Sequence, residues 1–154
     1  MERSRLSVLK SPLPAAHGES AGREVRATVL LVEDDDQLRD AIEENLRHLG
    51  YAVIPVPNGY KALQLARLGI KFDLLLTDIR MPGEIDGARL AAEIHMLRPD
   101  VVVVFSTGCV EEEIGTSKRL DRQNAYLIKP YTLKQMEATL AAAAMRATKS
   151  QRLR

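Results

Sequence analysis

The sequence has little cysteine, no long apolar run and almost no net charge, and each shortage excludes something. Its one thiol, Cys109, can close no disulfide within the chain, and no spacing of Cys and His residues suggests a zinc site. That usage fits a reducing compartment. The 22 Lys and Arg against 21 Asp and Glu leave a formal charge of +1, so no net field draws the molecule to nucleic acid or to an anionic membrane. Arg3, Arg5 and Lys10 interrupt the N-terminal stretch, which leaves no apolar signal-peptide core, and nowhere do enough apolar residues follow one another to cross a bilayer. The expected location is the cytoplasm, with no membrane partner. At 154 residues the chain can build one domain with a real core and is short for two.

What is present is organised around Asp73–Pro82, DLLLTDIRMP. Leu74 to Thr77 are almost purely apolar, which reads as a strand buried on both faces in a parallel sheet. Asp78 stands at its carboxyl end, the edge where open α/β sheets build their sites. An isolated Asp there could simply hold a turn, so its meaning depends on what the other strand ends carry.

Residues 1–26, rich in Ser, Pro, Ala, Gly and Arg without periodicity, read as a disordered leader. Thr28–Val32 is a short apolar strand ending in Glu33-Asp34-Asp35-Asp36, after which Leu38, Ile42, Leu46 and Leu49 fall at helical spacing up to a stop at Gly50. Tyr51–Val56 is a strand whose Pro55 cannot donate to a ladder, so it belongs at a sheet edge. Asn58 caps a second helix through Leu63, Ala66 and Ile70. After the loop Gly83-Glu84-Ile85, Asp86 caps a third, with Leu90, Ala91, Ile94 and Leu97 on its buried stripe. Val101–Ser106 is the second fully apolar strand and leads to Thr107-Gly108. A weakly patterned segment interrupted by Gly115 is assigned as the fourth helix. Ala125–Ile128 is the fifth strand, followed by Lys129-Pro130. Thr132 and Gln135 then form a capping box for a last helix with Leu133, Met136, Leu140 and Ala144 on its apolar face. The chain after Met145 reads as basic and frayed, with residues 149–154 as a tail.

Five strands alternating with five helices predict an α/β fold: a flavodoxin-like (βα)5 doubly wound parallel sheet of strand order 2-1-3-4-5, with its switch point between the first and third strands. Glu33, Asp34 and Asp78 would converge there. Carboxylates so close repel, so either one takes up a proton at raised pKa or a cation sits among them. Ligands that are all oxygen select a hard ion, Mg²⁺ first and Mn²⁺ second. A metal there screens an incoming phosphoryl group from the carboxylate attacking it, which makes Asp78 a candidate nucleophile that becomes an aspartyl phosphate. Thr107 and Lys129 face the same crevice, the one with a hydroxyl and the other with an ammonium able to hold phosphoryl oxygens as a point charge. Singly, these groups read as an N-cap, a turn residue and a solvated charge; together they make a site.

VLLVEDD, DLLLTDIRMPG, VVFSTG and YLIKPY, in this order and spacing, resemble the receiver domain of bacterial two-component response regulators, over residues 27–148. The resemblance implies that Asp78 accepts phosphate from a histidine kinase or a histidine phosphotransfer protein. It implies that Glu33, Asp34 and Asp78 hold Mg²⁺ together with the backbone carbonyl of Arg80, and that Lys129 contacts the phosphoryl group ahead of a cis bond to Pro130. Thr107 would move to that group and Tyr126, at the family's switch position, would turn inward behind it. The surface from the fourth helix through the fifth strand to the fifth helix would change as a result. The loop GEIDG after Pro82 is one residue longer than the family's commonest form and should alter only the approach to the third helix. Arg80 and Cys109 each lie two residues beyond a site residue, where side chains can govern attack of water on the acyl phosphate. Cys109 also has a plain reading as a small residue at a helix start. His17, His48 and His95 are too scattered for metal binding or catalysis.

Two other classes compete. Asp34-x-Asp36 after an apolar strand matches, superficially, the motif of haloacid-dehalogenase-like phosphotransferases, with Asp34 as nucleophile and Asp36 as acid/base, but Leu38 stands where such motifs carry Thr or Val. A flavodoxin-like module that binds a nucleotide or a protein without phosphorylation would want a Gly- and Ser-rich first loop, and this one is acidic. The expected product is therefore a signalling phosphoacceptor and not an enzyme. Its partners would be a kinase or phosphotransfer protein, a downstream protein target, or a second copy paired through the fourth helix, fifth strand and fifth helix. Room for a helix-turn-helix is lacking, so no specific nucleic acid is expected.

Overall fold

The computed structural model describes residues 24–108 and 124–153. The fourth helix, Cys109, His17 and most of the leader, as assigned from sequence, lie outside the described residues. Strands β1 (Thr28–Val32), β2 (Ala52–Val56), β3 (Leu74–Asp78), β4 (Val102–Thr107) and β5 (Ala125–Ile128) pair in parallel in the order β2-β1-β3-β4-β5. This is the doubly wound order expected, and β2 carries Pro55 along the edge opposite Leu31.

Side chains alternate between the two faces of the sheet with the period of a strand. Leu30, Val32, Leu75, Val103 and Phe105 pack on one face under α2 (Gly59–Arg67) and α3 (Gly87–Leu97). Val29, Leu31, Leu74, Leu76, Val104 and Leu127 pack on the other under α1 (Asp36–His48) and the C-terminal helix (Leu133–Arg152). Both faces are covered, which is why β1, β3 and β4 are almost uninterruptedly apolar.

The helices start where their caps lie. Asp35, Asn58, Asp86 and Thr132 each accept a hydrogen bond from the backbone N–H three residues on, and Thr132 closes a full capping box with Gln135. Their ends depart from expectation at identifiable places. Helix α2 stops at Arg67 and leaves Ile70 outside it and 40% exposed. Gly69 takes φ +80°, its N–H bonds Ala66 O at 3.1 Å, and Ile70 N–H bonds Leu65 O at 3.1 Å, the paired bonds of a Schellman stop. Leu38, Leu97 and Leu133, all placed in the apolar pattern of their helices, are about 40–45% exposed, and each lies in the first or last turn of its helix. The C-terminal helix does not fray after Met145. Its buried face is Met136, Leu140, Ala143 and Ala147, and it continues to Arg152, with Gln151 Nε2 bonding Asp73 Oδ1 at 3.2 Å.

The extra residue in the loop after Pro82 reaches further than the approach to α3. Ile85 packs into the core against the start of α2, where a Cβ on Gly59 would come within 2.7 Å of Ile85 Cγ2 and 2.8 Å of Ile85 O. Gly59→Ala is therefore expected to cost about 1–2 kcal/mol, overpacking outweighing the better helix propensity of alanine. Urea denaturation should give a lower midpoint with an unchanged slope. An unchanged midpoint would mean that the loop yields freely.

Candidate functional site

The register of the parallel ladder builds the site. Val32 pairs with Thr77, Asp78 with Ser106 and Thr107 with Ile128, so Glu33, Asp78, Thr107 and Lys129 leave the sheet at one carboxyl edge. Across that edge Lys129 Nζ meets Asp78 Oδ2 at 2.7 Å, with the two side chains 31% and 21% exposed. Asp78 Oδ1 accepts the Arg80 N–H at 3.3 Å. The backbone of β5 is tied to β4 at this point, since Lys129 N–H bonds Thr107 O at 2.8 Å, and the Lys129–Pro130 bond is cis.

Glu33 is 4% exposed, and its Oε1 accepts the Asp35 N–H at 3.2 Å. Burial raises its pKa above the ordinary carboxylate value; Asp34 and Asp78 push the same way, against the Asp35 N–H and the Lys129 charge. Burial alone would lower the pKa of Lys129, but its hydrogen bond and ion pair with Asp78, helped by Glu33, raise it above the ordinary ammonium value. The ammonium is thus held charged beside two acids. Asp34 is exposed at the rim. Among the described residues no three Asp, Glu, His or Cys side chains close into one group. Asp34 and Asp78 both act on Glu33, and Asp78 is at the same time paired with Lys129.

Thr107, 3% exposed, ends β4 beside the pair. Tyr126 is half-buried on β5, with its ring stacked on Phe105 at 5.7 Å between centroids. Arg80 is exposed on the loop after β3, and His48 and His95 are exposed on helices. Three contributors were not singled out from sequence. Arg39 bonds Glu33 O at 2.9 Å through Nη1 and Asp36 Oδ1 at 2.6 Å through Nη2, which pins the acidic turn to α1; its three-residue spacing from Asp36 was the available signal. Tyr131 packs with the Met136 side of the core, near the buried Ser106 hydroxyl, and burial raises its pKa. Gly87 lies so close beneath the site strand that its N–H bonds Ile79 O at 2.8 Å.

The carboxyl edge thus gathers an acid at a central strand end, a charged lysine on it, and a second acid buried behind. The sequence matches the family model of the response regulator receiver domain over residues 29–141, and the chain belongs to that family. It is 36% identical over 109 residues to the response regulator receiver protein CpdR of Brucella abortus, a match covering 70% of this chain and 88% of CpdR. It is also 36% identical over 115 residues to the sensor kinase CckA of the same organism, covering 74% of this chain but 12% of the kinase. A crystal structure of a response regulator receiver protein from Sinorhizobium medicae superposes with a TM-score of 0.70 at 25% identity, covering 78% of this chain and 95% of that one. Among the described residues no helix is long and apolar enough to cross a membrane.

Proposed function

We propose that this receiver acts in a cytoplasmic phosphorelay by taking a phosphoryl group onto Asp78 from a phosphohistidine of a sensor kinase or phosphotransfer protein. The observation that carries the reading is the 2.7 Å contact of Lys129 Nζ with Asp78 Oδ2 at the carboxyl edge of β3 and β5. In the transfer an Asp78 oxygen attacks phosphorus and the phosphorus–nitrogen bond breaks. The imidazole nitrogen takes the bonding pair and a solvent proton. Lys129 then moves its charge from the carboxylate to the phosphoryl oxygens, and the Thr107 hydroxyl bonds the same group.

The residues fit Mg²⁺, or Mn²⁺ in its place. Their donors are all oxygen, and a buried Glu33 whose pKa is raised beside Asp34 and Asp78 is a carboxylate that a cation would hold ionised. Glu33, Asp34, Asp78 and the Arg80 carbonyl would hold it, and it would supply charge neutralisation between acid and phosphoryl group. Tyr126 would follow Thr107 inward, and the surface running through β5 to the C-terminal helix would present a changed face to a downstream protein or a second copy. Likeness to CpdR and to part of a sensor kinase supports this setting.

The test is intact mass after incubation with acetyl phosphate. A single phosphoryl adduct that requires Mg²⁺ and disappears in Asp78→Asn supports the reading; no adduct under conditions that label a known receiver would leave an unphosphorylated binding module. Arg80, exposed two residues beyond the acceptor, is expected to govern the lifetime of the adduct. Arg80→Asn should change the rate of phosphate loss several-fold without changing the melting temperature, and an unchanged rate would make Arg80 a solvated rim residue.

A further inference from the structure

The amino edge of the sheet, opposite the edge that carries Asp78, holds a cavity of about 570 Å³. That volume lies within the range of small-molecule sites, about 300–1,000 Å³. Arg26, just before β1, and Tyr51, just before β2, line it together with the second half of the C-terminal helix. Ala141, Ala144 and Met145 give it an apolar wall, and the Met145 side of that wall is 74% exposed. Arg26, Lys149 and Arg152 give it three cations, and no carboxylate is among the lining residues. Arg26 pairs with Glu137 at 3.6 Å, in a pair about half exposed to solvent.

The cavity also contains an anomaly that the receiver reading does not use. Tyr51 is 3% exposed, yet its buried hydroxyl makes no hydrogen bond of ordinary geometry. The Arg26 guanidinium lies beside it, off ordinary hydrogen-bond geometry, and partly offsets the rise in its pKa that burial causes. A buried hydroxyl without a well-formed hydrogen bond is disfavoured and rare in folded proteins, so a group that reaches it from the cavity as the lining adjusts would be favoured.

We propose that this cavity binds an amphipathic organic anion, with an aromatic or aliphatic body against Ala141, Ala144 and Met145, an acidic head among Arg26, Lys149 and Arg152, and a hydrogen bond to the Tyr51 hydroxyl. Charge selects this occupant over the two others at hand. Residues 1–23 carry Arg3, Arg5, Lys10 and Arg23 against Glu2 and Glu19, so they have the same sign as the cavity rim. A second copy meeting this face through a two-fold axis would set one cluster of cations against another.

The test uses the full chain and 1-naphthoate as probe, followed by two-dimensional amide NMR, with 1-naphthalenemethanol as the uncharged body and acetate as the charge alone. The expected result is saturable shifts centred on Tyr51, Ala141, Ala144 and Thr148, independent of protein concentration. The alcohol and acetate should each bind at least about ten-fold more weakly. A Lys149→Gln/Arg152→Gln protein should lose about ten-fold in affinity and Tyr51→Phe about three-fold. Tyr51→Phe should melt no lower than wild type, because it removes an unpaired hydroxyl. Shifts elsewhere, an alcohol that binds as well as the acid, or variants that bind like wild type would overturn the proposal. So would shifts at the same residues that follow protein concentration without ligand, since those would give the cavity to a second copy.

Discussion

Gly87→Ala should be among the most damaging single substitutions in the chain, lowering stability by about 3 kcal/mol or more. A Cβ on Gly87 would fall 1.7 Å from the backbone carbonyl oxygen of Asp78 and 2.7 Å from its carbonyl carbon, with Ile79 Cα at 2.9 Å. None of these is the movable end of a side chain. Gly87 is fixed by its hydrogen bond to Ile79 O and by the Asp86 cap at the head of α3, while Asp78 is fixed in β3 and bonded through its carbonyl by Thr77 Oγ1 at 3.0 Å. Relief therefore means separating α3 from the strand that carries Asp78. For a domain of this size the loss corresponds to a fall of roughly 10 °C in melting temperature. Gly83→Ala is the control: Gly83 takes φ +100° but has open space around it, so it should cost only about 1–2 kcal/mol of backbone strain. A Gly87→Ala protein that melts within a couple of degrees of wild type would show that α3 is not seated against β3 as described.

Asp78→Asn should have the largest functional effect and a small structural one. The substitution removes the nucleophilic oxygen charge, so phosphoryl transfer should fall below detection, at least about a thousand-fold. The fold should persist for two opposing reasons. Lys129 loses its 2.7 Å ion pair but keeps an acceptor of the same shape, and Glu33 loses the negative neighbour that helped to raise its pKa. Far-ultraviolet circular dichroism and the melting temperature should stay close to wild type while the adduct is absent. Loss of the adduct together with loss of fold would leave the chemistry of Asp78 untested by this variant, and Asp78→Glu, which keeps the charge and moves the oxygen, would then separate the two.

The sheet was the most legible part of the molecule. β1, β3 and β4 are apolar along their length because both faces are covered, and Pro55 marks β2 as an edge, a pattern that suits the flavodoxin-like order. Polar residues that end strands are conspicuous, which is why Glu33, Asp78, Thr107 and Lys129 could be placed on one edge from the sequence. Helix ends were less legible. Gly69 stops α2 through its positive φ while the apolar spacing runs on to Ile70. In the C-terminal helix the buried stripe passes into Ala143 and Ala147, small residues that bury fully yet carry little periodic signal. Least legible was what depends on close approach in three dimensions: the clash waiting at Gly87, the reach of Ile85 onto Gly59, and the unpaired hydroxyl of Tyr51 at the far edge. No spacing rule encodes the distance between residues brought together by different strands.

The acceptor itself can be identified by chemical trapping. An acyl phosphate on an aspartate is reduced by borohydride to homoserine, so protein incubated with acetyl phosphate and Mg²⁺, reduced and digested, carries the modified residue as a permanent mark that peptide mass spectrometry can locate. The expected result is homoserine at position 78 alone, dependent on both acetyl phosphate and Mg²⁺. Homoserine at Asp34 would contradict it and point to the first strand's acid as nucleophile, and no homoserine at any position beside a labelled control receiver would remove phosphoryl transfer from the function of this chain.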